Sequence, residues 1–372
     1  MISVERRLTQ PRWLTFAVPF ASVAIAFLIM AVVLLLTGHD PIRTYRRLFD
    51  AAFSGSAAWT DTVTLATPLI FTGLAASVAF RMQLFNIGAE GQLYIGAICA
   101  SGAAIWLGPH HALPTTILAM CACGAAGASL WALIAGVLKA FARTNEIITT
   151  LMLNYVAGLL LTYLIFDSAS PWRDVSTVQA RSFPQSIPLK SSQFWPTVTV
   201  FGVVIPFGFL LAIGVAIALY ALFRATRFGF EMNVIGDSQR AARYSGMRTR
   251  RKILAVMAIS GAVAGLGGAS QIGDISHVLD ASPQGLQGAN YGYTGIVAAA
   301  LGRYNPFAVF VVGVLLGGLQ NAGLFLQGAD FPTGLVGVMQ GIILFCVLGG
   351  ELLVRYRVRI GRRPAAVAAE VK

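Results

Sequence analysis

Inside its long apolar runs this chain carries neutral hydrogen-bonding side chains. Asn86, Gln92, Asn154, Tyr155, Gln271, Asn290, Tyr291, Gln320, Asn321 and Gln340 stand out. Acids are few there, and Glu90, Glu146 and Glu351 lie near the ends of the runs. A proton-coupled carrier needs Asp, Glu, His or Arg within its spans to relay charge. Amides and hydroxyls suit an uncharged polar solute instead. They equally suit bonds between neighbouring helices, at about 0.6 kcal/mol each.

Other chemistry is missing. The chain has no HExxH, no Cys/His cluster at zinc spacing and no GxSxG elbow. Its four histidines (His39, His110, His111, His277) fall at the ends of apolar runs or in loops. The four cysteines (Cys99, Cys121, Cys123, Cys346) lie in apolar runs and read as packing residues. None of the four lysines (Lys139, Lys190, Lys252, Lys372) follows a glycine, so a Walker A loop is impossible in this chain. No catalytic residue, metal site or bound cofactor is expected. If ATP drives the protein, a separate subunit binds and hydrolyses it.

The elements that hold these residues follow from composition. Of 372 residues, 56% are hydrophobic and 11% are charged, against about 25% charged in soluble domains. A membrane helix needs about 20 mostly apolar residues. Candidate spans cover 14–36, 60–80, 84–107, 113–138, 146–166, 198–222, 253–272, 289–303, 305–326 and 333–353. The eighth is short and broken by Asn290-Tyr-Gly-Tyr-Thr-Gly. The reading is an all-α polytopic bundle of about ten spans, with 1–372 as one transmembrane domain.

The net charge of +12 fits either nucleic-acid binding or basic loops beside a membrane. Alternating the ten spans puts 21 of the 27 Lys and Arg on one side, together with both tails. The positive-inside rule makes that side cytoplasmic, so both termini are expected inside and no nucleic-acid partner is implied. The run from Leu14 to Leu36 exceeds the ~7–15 residues of a signal-peptide core and reads as a retained first helix.

Three segments fall outside the spans. Pro41–Phe53 sets Ile42, Tyr45, Leu48, Phe49, Ala52 and Phe53 opposite Arg43, Arg46 and Arg47, as an amphipathic interfacial helix would. The outer loop 167–197 is rich in Pro, Ser and Trp; it is either a cap over a pathway or a passive connection. In the cytoplasmic loop 223–252, Gly236-Asp237-Ser238-Gln239-Arg240-Ala241-Ala242-Arg243-Tyr244-Ser245-Gly246 reads as about two turns of helix. Asp237 is the expected N-cap and Gly246 the left-handed stop. So short a helix needs something to pack against.

Two stretches carry more than packing needs. Phe85-Asn86-Ile87-Gly88-Ala89-Glu90-Gly91-Gln92 opens the third span with two glycines, two amides and a carboxylate. It suggests opened backbone near a pathway. Thr144-Asn145-Glu146-Ile147-Ile148-Thr149-Thr150-Leu151-Met152-Leu153-Asn154-Tyr155 opens the fifth, where Asn145 would cap and Glu146 would sit in the first turn. Capping and gating both remain open for that pair. Small residues recur at Gly124/Ala128, Gly261/Gly265, Gly313/Gly317 and Gly337/Gly341, a spacing that lets helices approach closely.

With Gly236–Gly246 and the glycine-rich Ala258–Ala269, these stretches resemble the permease subunits of bacterial ATP-binding-cassette importers. The resemblance is to the branched-chain amino acid and ribose permease group, in its nucleoside and simple-sugar branch. It runs from the second span to the tenth. It implies a multi-pass protein of the bacterial plasma (inner) membrane that pairs with a related sister permease and binds two ATP-binding subunits. An extracytoplasmic solute-binding protein would deliver solute. Gly236, Asp237, Arg240, Ala241, Ala242, Arg243, Tyr244 and Gly246 would then form the coupling helix. Asn86, Glu90, Gln92, Asn145 and Asn154 are the pathway candidates. The alternative is an ATP-independent secondary carrier or channel for a neutral polar solute.

Overall fold

A computed structural model describes residues 2–6, 12–167, 169–281, 286–326 and 334–360. The basic tail residues Arg7, Arg362, Arg363 and Lys372 lie outside the described residues. In chain order the elements are β1 (Ile2–Arg6), α1 (Arg12–Leu36), α2 (Pro41–Phe53), α3 (Ser56–Arg81), α4 (Ala89–Leu107), α5 (Leu113–Val137) and α6 (Glu146–Phe166). There follow α7 (Val178–Ser182), β2 (Thr197–Val200), β3 (Val203–Pro206), α8 (Phe207–Ala225), α9 (Arg227–Asp237), α10 (Gln239–Tyr244) and α11 (Thr249–Ser270). The last are α12 (Tyr291–Leu301), α13 (Pro306–Phe325), α14 (Leu335–Arg355) and β4 (Tyr356–Ile360).

Each of the ten expected spans carries a helix. Six helical segments are long and apolar enough to cross a membrane, and a seventh if Phe20–Leu36 and Pro41–Phe53 count as one broken span. The chain is therefore a mostly helical, polytopic membrane protein. Three expectations need correction. Residues 198–206 form a β-hairpin: Thr197–Val200 pairs antiparallel with Val203–Pro206 around the left-handed pair Phe201 (φ 51°) and Gly202 (φ 80°). The sixth helix starts only at Phe207. The third helix starts at Ala89, after a non-helical stretch from Leu84 to Ile87. The eighth, α12, has 11 residues. At 1.5 Å per residue it reaches about 16 Å, half of a ~30 Å hydrocarbon core.

The chain divides into two units, residues 1–41 with 334–372, and residues 42–333. In the first, α1 packs along α14, and β1 pairs antiparallel with β4. A side chain at Gly350 would meet Val18 at 2.8 Å, so this glycine lets the two helices close.

In the second unit α3 is the axis. From Ala66 to Phe80 every residue is buried, with α11, α12 and α13 around it and Pro68 within it. The helix is apolar on all sides because protein meets it on all sides. Glycines set the closest crossings. A Cβ at Gly96 of α4 would stand 2.5 Å from the Cα of Gly265 in α11, and one at Gly317 of α13 would stand 2.5 Å from Ala66. Three of the four small-residue pairs serve such contacts; Gly337 and Gly341 face open space. Asp274, in the π-turn that ends α11's run, accepts from the backbone N–H of Gly208 (2.7 Å) and from Ser270 (2.9 Å). It thereby caps the N-terminus of α8 from another element, where a negative group is favoured.

Candidate functional site

The site centres on Glu90. It lies in the first turn of α4 and is 2% exposed. Its carboxylate accepts from the hydroxyl of Tyr94, one turn on (2.6 Å), and from the backbone N–H of Gly292 in the first turn of α12. Gly292 has no side chain because a Cβ there would stand 2.5 Å from the Cα of Glu90. One carboxylate thus lies at two helix N-termini, where both dipoles and free N–H groups favour a negative charge. Thr72, the 17th of the 26 residues of α3, donates to the carbonyl of Tyr291 (2.8 Å) and holds the start of α12 at that depth. At its other end Phe80 meets Tyr304, with ring centroids 5.8 Å apart. The short helix therefore runs from mid-depth to the end that carries Arg81.

Asn86 and Gln92 sit beside this node in a closed network. Asn86 is fully buried and donates to Ser260 (2.9 Å) and to Gln92 (3.2 Å). Its carbonyl accepts from the Gly88 N–H (2.9 Å) and from Gln92 Nε2 (3.1 Å). Ser260 in turn donates to Ala75 O in α3 (2.7 Å). The opened stretch before α4 is thereby tied to α3, α4 and α11. Asn154 of α6 closes the other side. It donates to Ile87 O (2.9 Å) and to the Tyr293 hydroxyl (3.3 Å), and accepts from Gly91 N–H (2.9 Å). Thr150 accepts from Ile87 N–H (3.2 Å).

The structure thus joins Asn86, Glu90, Gln92 and Asn154 and leaves Asn145 apart. Asn145 is exposed and caps α6, accepting from Ile147 N–H (3.0 Å). Its neighbour Glu146 is buried and pairs with Lys139 at 2.5 Å. Lys139 is in reach because Leu138–Ala142 winds as a π-turn ending in a left-handed Arg143 (φ 57°). Sequence reasoning missed Tyr94, Lys139, Ser260, Gly292 and Tyr293. Of these Ser260 lay in the glycine-rich Ala258–Ala269, and Gly292 and Tyr293 in the Asn290-Tyr-Gly-Tyr-Thr-Gly break of the eighth span.

On the segment expected to couple, Ser238 rather than Asp237 is the N-cap, accepting from Ala241 N–H (3.3 Å). Asp237 closes α9 instead, because the chain breaks between two short helices at Ser238. Gly246 is left-handed (φ 75°), as expected. The two alanines differ: Ala242 is fully buried and Ala241 is exposed. Arg240, Ala241, Arg243 and Tyr244, the last 94% exposed, make the open face. Gly236 fits against the carbonyl of Arg81, Arg81 donates to Asn233 (2.9 Å), and Glu231 pairs with Lys252 (2.6 Å). The α9–α10 segment is fastened to the end of α3.

The 167–197 loop is wired to other elements by hydrogen bonds. Trp172 donates to Ile98 O (3.2 Å) and Gln193 to Ala104 O (2.8 Å), while Ser186, Leu189 and Trp195 donate backbone N–H groups to Leu279, His277 and Gly273. Asp174 accepts from Ser176 N–H (2.9 Å). The hydrogen bonds from Ser176, aided by the nearby Lys190 charge, hold its carboxyl below the usual range. Among the described residues no group of three His, Cys, Asp or Glu is placed to hold a metal.

Comparison with known proteins fits this arrangement. Residues 59–348 match the family described as branched-chain amino acid transport system / permease component. The chain is 33% identical to the glucose ABC transporter permease protein TsgB13 of Haloferax volcanii, over 96% of this chain and 94% of that one. It is 32% identical to the guanosine ABC transporter permease protein NupP of Bacillus subtilis, over 89% and 92%. Identity to the nucleoside ABC transporter permease protein NupB of Lactococcus lactis is 27%, over 89% and 90%. No solved structure matches. A chain of this length, helical content and buried polar wiring, matched across most of its spans, belongs to the permease family of ATP-binding-cassette transport systems, as a multi-pass plasma-membrane (inner-membrane) subunit that transports while separate subunits hydrolyse ATP.

Proposed function

We propose that this chain is the permease subunit of an ATP-driven importer for nucleosides, with simple sugars as the second reading. The observation that carries it is the neutral character of the mid-depth node. Glu90 is spent on Tyr94 and Gly292, and what surrounds it is amide and hydroxyl. Such a lining favours an uncharged, hydrogen-bonding solute. Relatives named for guanosine, nucleosides and glucose agree with that chemistry.

In this reading the whole chain acts as one permease domain. Its ten helical segments are ten membrane segments, α12 being a half-span, and both termini face the cytoplasm. The gathering of Arg81, Lys252 and the α9–α10 segment at one end supports that orientation. Two ATP-binding subunits serve the permease pair, one of them docking on the exposed face of α10, and ATP is bound by those subunits and not by this chain. A sister permease completes the pair, and a solute-binding protein meets the wired outer cap. Closure of the ATPases would move α10. The Gly236–Arg81 contact would carry that motion to α3 and so to α12. Asn154 and Glu90 border the pathway, and Asn86 and Gln92 hold the backbone beneath it. Asn145 positions α6.

The test is ATP-dependent uptake of labelled guanosine and of labelled glucose by the complete complex in proteoliposomes. Guanosine uptake that needs ATP supports the reading, and glucose uptake alone moves it to the second. Uptake of either without ATP overturns it.

A further inference from the structure

The residues nearest the node that remain open lie on one groove. On α6, Leu151, Tyr155, Gly158, Thr162 and Phe166 form a stripe at helical spacing beside the buried stripe of Thr150, Asn154, Ala157, Leu161 and Ile165. Facing it are Gln287, in the non-helical lead into α12, and Tyr293 in the first turn of α12, with the exposed Asn290 between them in sequence. Gln287 donates across the groove to Gly158 O (2.8 Å) and Thr162 (3.1 Å), and the Tyr94 oxygen lies at its floor, 3.5 Å from Gln287 O. Tyr155 is 63% exposed on the α6 wall, and Tyr293 on the other wall is held by the amide of the adjoining Asn154.

Depth makes this arrangement informative. Asn154 is the ninth residue of the 21 in α6, and Tyr155 the tenth, so the groove lies near the middle of the span. There Gly288 and Asn290 expose irregular backbone. Hydrocarbon does not tolerate irregular backbone or an open tyrosine hydroxyl at that depth; protein or a water-filled cavity must cover them. A further group points the same way. Gln320 of α13 donates to Ala289 O (3.0 Å), and its own carbonyl oxygen is buried without a partner among the described residues.

We propose that the groove between α6 and the lead-in to α12 is a water-filled solute site, and that its solute is a nucleoside. Tyrosines from opposite walls, Tyr155 and Tyr293, offer aromatic faces on which a planar base can stack. Asn290 and Gln287 offer neutral donors and acceptors to ribose hydroxyls and base edges. The groove presents no free charge, because Glu90 beneath it is turned to Gly292 and Tyr94. The choice of nucleoside rests on the importer reading above; the wet groove does not.

The experiment uses the complete complex, with Cys99, Cys121, Cys123 and Cys346 of this chain replaced by Ala and uptake retained. Single substitutions Tyr155→Cys and Asn290→Cys are probed with a membrane-impermeant thiol reagent during ATP turnover, beside Leu118→Cys on the exposed face of α5 (70% exposed). Labelling of the first two at least tenfold faster than the third is expected. Labelling no faster than Leu118→Cys places the groove against lipid or a sister subunit and overturns the inference, even if the parent complex imports nucleosides. For the solute, Tyr155→Leu and Tyr293→Leu are each expected to cut guanosine uptake tenfold or more while ATPase stimulation by the binding protein persists. Unchanged guanosine uptake in both variants overturns the assignment of a nucleoside to this groove. A parent complex that imports no nucleoside sinks the importer reading instead, and the labelling result stands apart from it.

Discussion

Glu90 and Gly292 join two helices at their first turns: the carboxylate of one accepts the backbone N–H of the other, across 202 positions of sequence. The relationship needs both the acid and the missing side chain. Gly292→Ala would push a methyl into the Glu90 backbone, which cannot yield as a flexible side chain could. Overpacking of this kind costs about 1–3 kcal/mol. We expect a lower melting temperature for the purified chain in detergent. An unchanged one would show that α12 is free to shift.

Glu90→Gln tests the same joint from the other side. Glutamine keeps one acceptor and turns an N–H toward a donor, leaving one buried group unpaired at about 1–3 kcal/mol. Glu90→Ala removes both acceptors and should destabilise more. Thermal unfolding ranks the three proteins. If Glu90→Ala were as stable as the parent, the carboxylate would have no structural role.

How far these contacts could be read from sequence depends on what each contact needs. Apolar length alone located all ten helical segments, because burying or spanning requires long apolar runs whatever their neighbours. It failed at 198–206, where the apolar run is a hairpin: the alternation of Thr197–Val200 and the turn at Phe201-Gly202, not apolarity, separate the two. Glu146 could be seen as a first-turn acid, but its partner Lys139 could not. A seven-residue separation meets only because a π-turn intervenes, and nothing in Leu138–Ala142 announces one. The stretch from Phe85 to Gln92 was conspicuous by composition. Its partners Ser260, Asn154 and Gly292 belong to other helices, and one sequence carries no record of which helices touch.

The Lys139–Glu146 pair is partly shielded and makes a measurable coupling. Removing one partner leaves the other charge uncompensated, so Lys139→Met and Glu146→Gln should each destabilise, and the double substitution should cost less than their sum. A double-mutant cycle on thermal stability gives the coupling, expected at about 1 kcal/mol for a pair with partial exposure. A coupling of zero would mark the pair as a surface contact without energetic effect.

Asp174 gives the outer cap a pH dependence of known sign. Its carboxyl titrates below the usual range, so the stability it adds is present above the unfolded value of about 3.9 and is lost as pH falls through the lower folded value. Below that, Ser176 loses its charged acceptor. Protease cutting within 167–197 should therefore rise as pH drops under about 4, and Asp174→Asn should cut faster already at neutral pH. Equal cutting of both proteins at pH 7 would remove Asp174 from the account.

The two alanines of α10 separate docking from folding. Ala242 is fully buried, so Ala242→Trp should unfold the α9–α10 segment and lower the melting temperature. Ala241 is exposed beside Arg240 and Tyr244, so Ala241→Trp and Tyr244→Ala should leave the melting temperature within about 1 °C, since exposed substitutions change stability little. If the ATPase subunits seat on this face, both variants lose most of their copurifying ATPase and most of their ATP-dependent uptake. The argument turns on the contrast between the two positions. Loss of ATPase at Ala241 with normal stability is a docking defect, whereas loss at Ala242 alone would follow from misfolding. Full assembly and uptake by Ala241→Trp and Tyr244→Ala together would move the docking surface elsewhere on the chain.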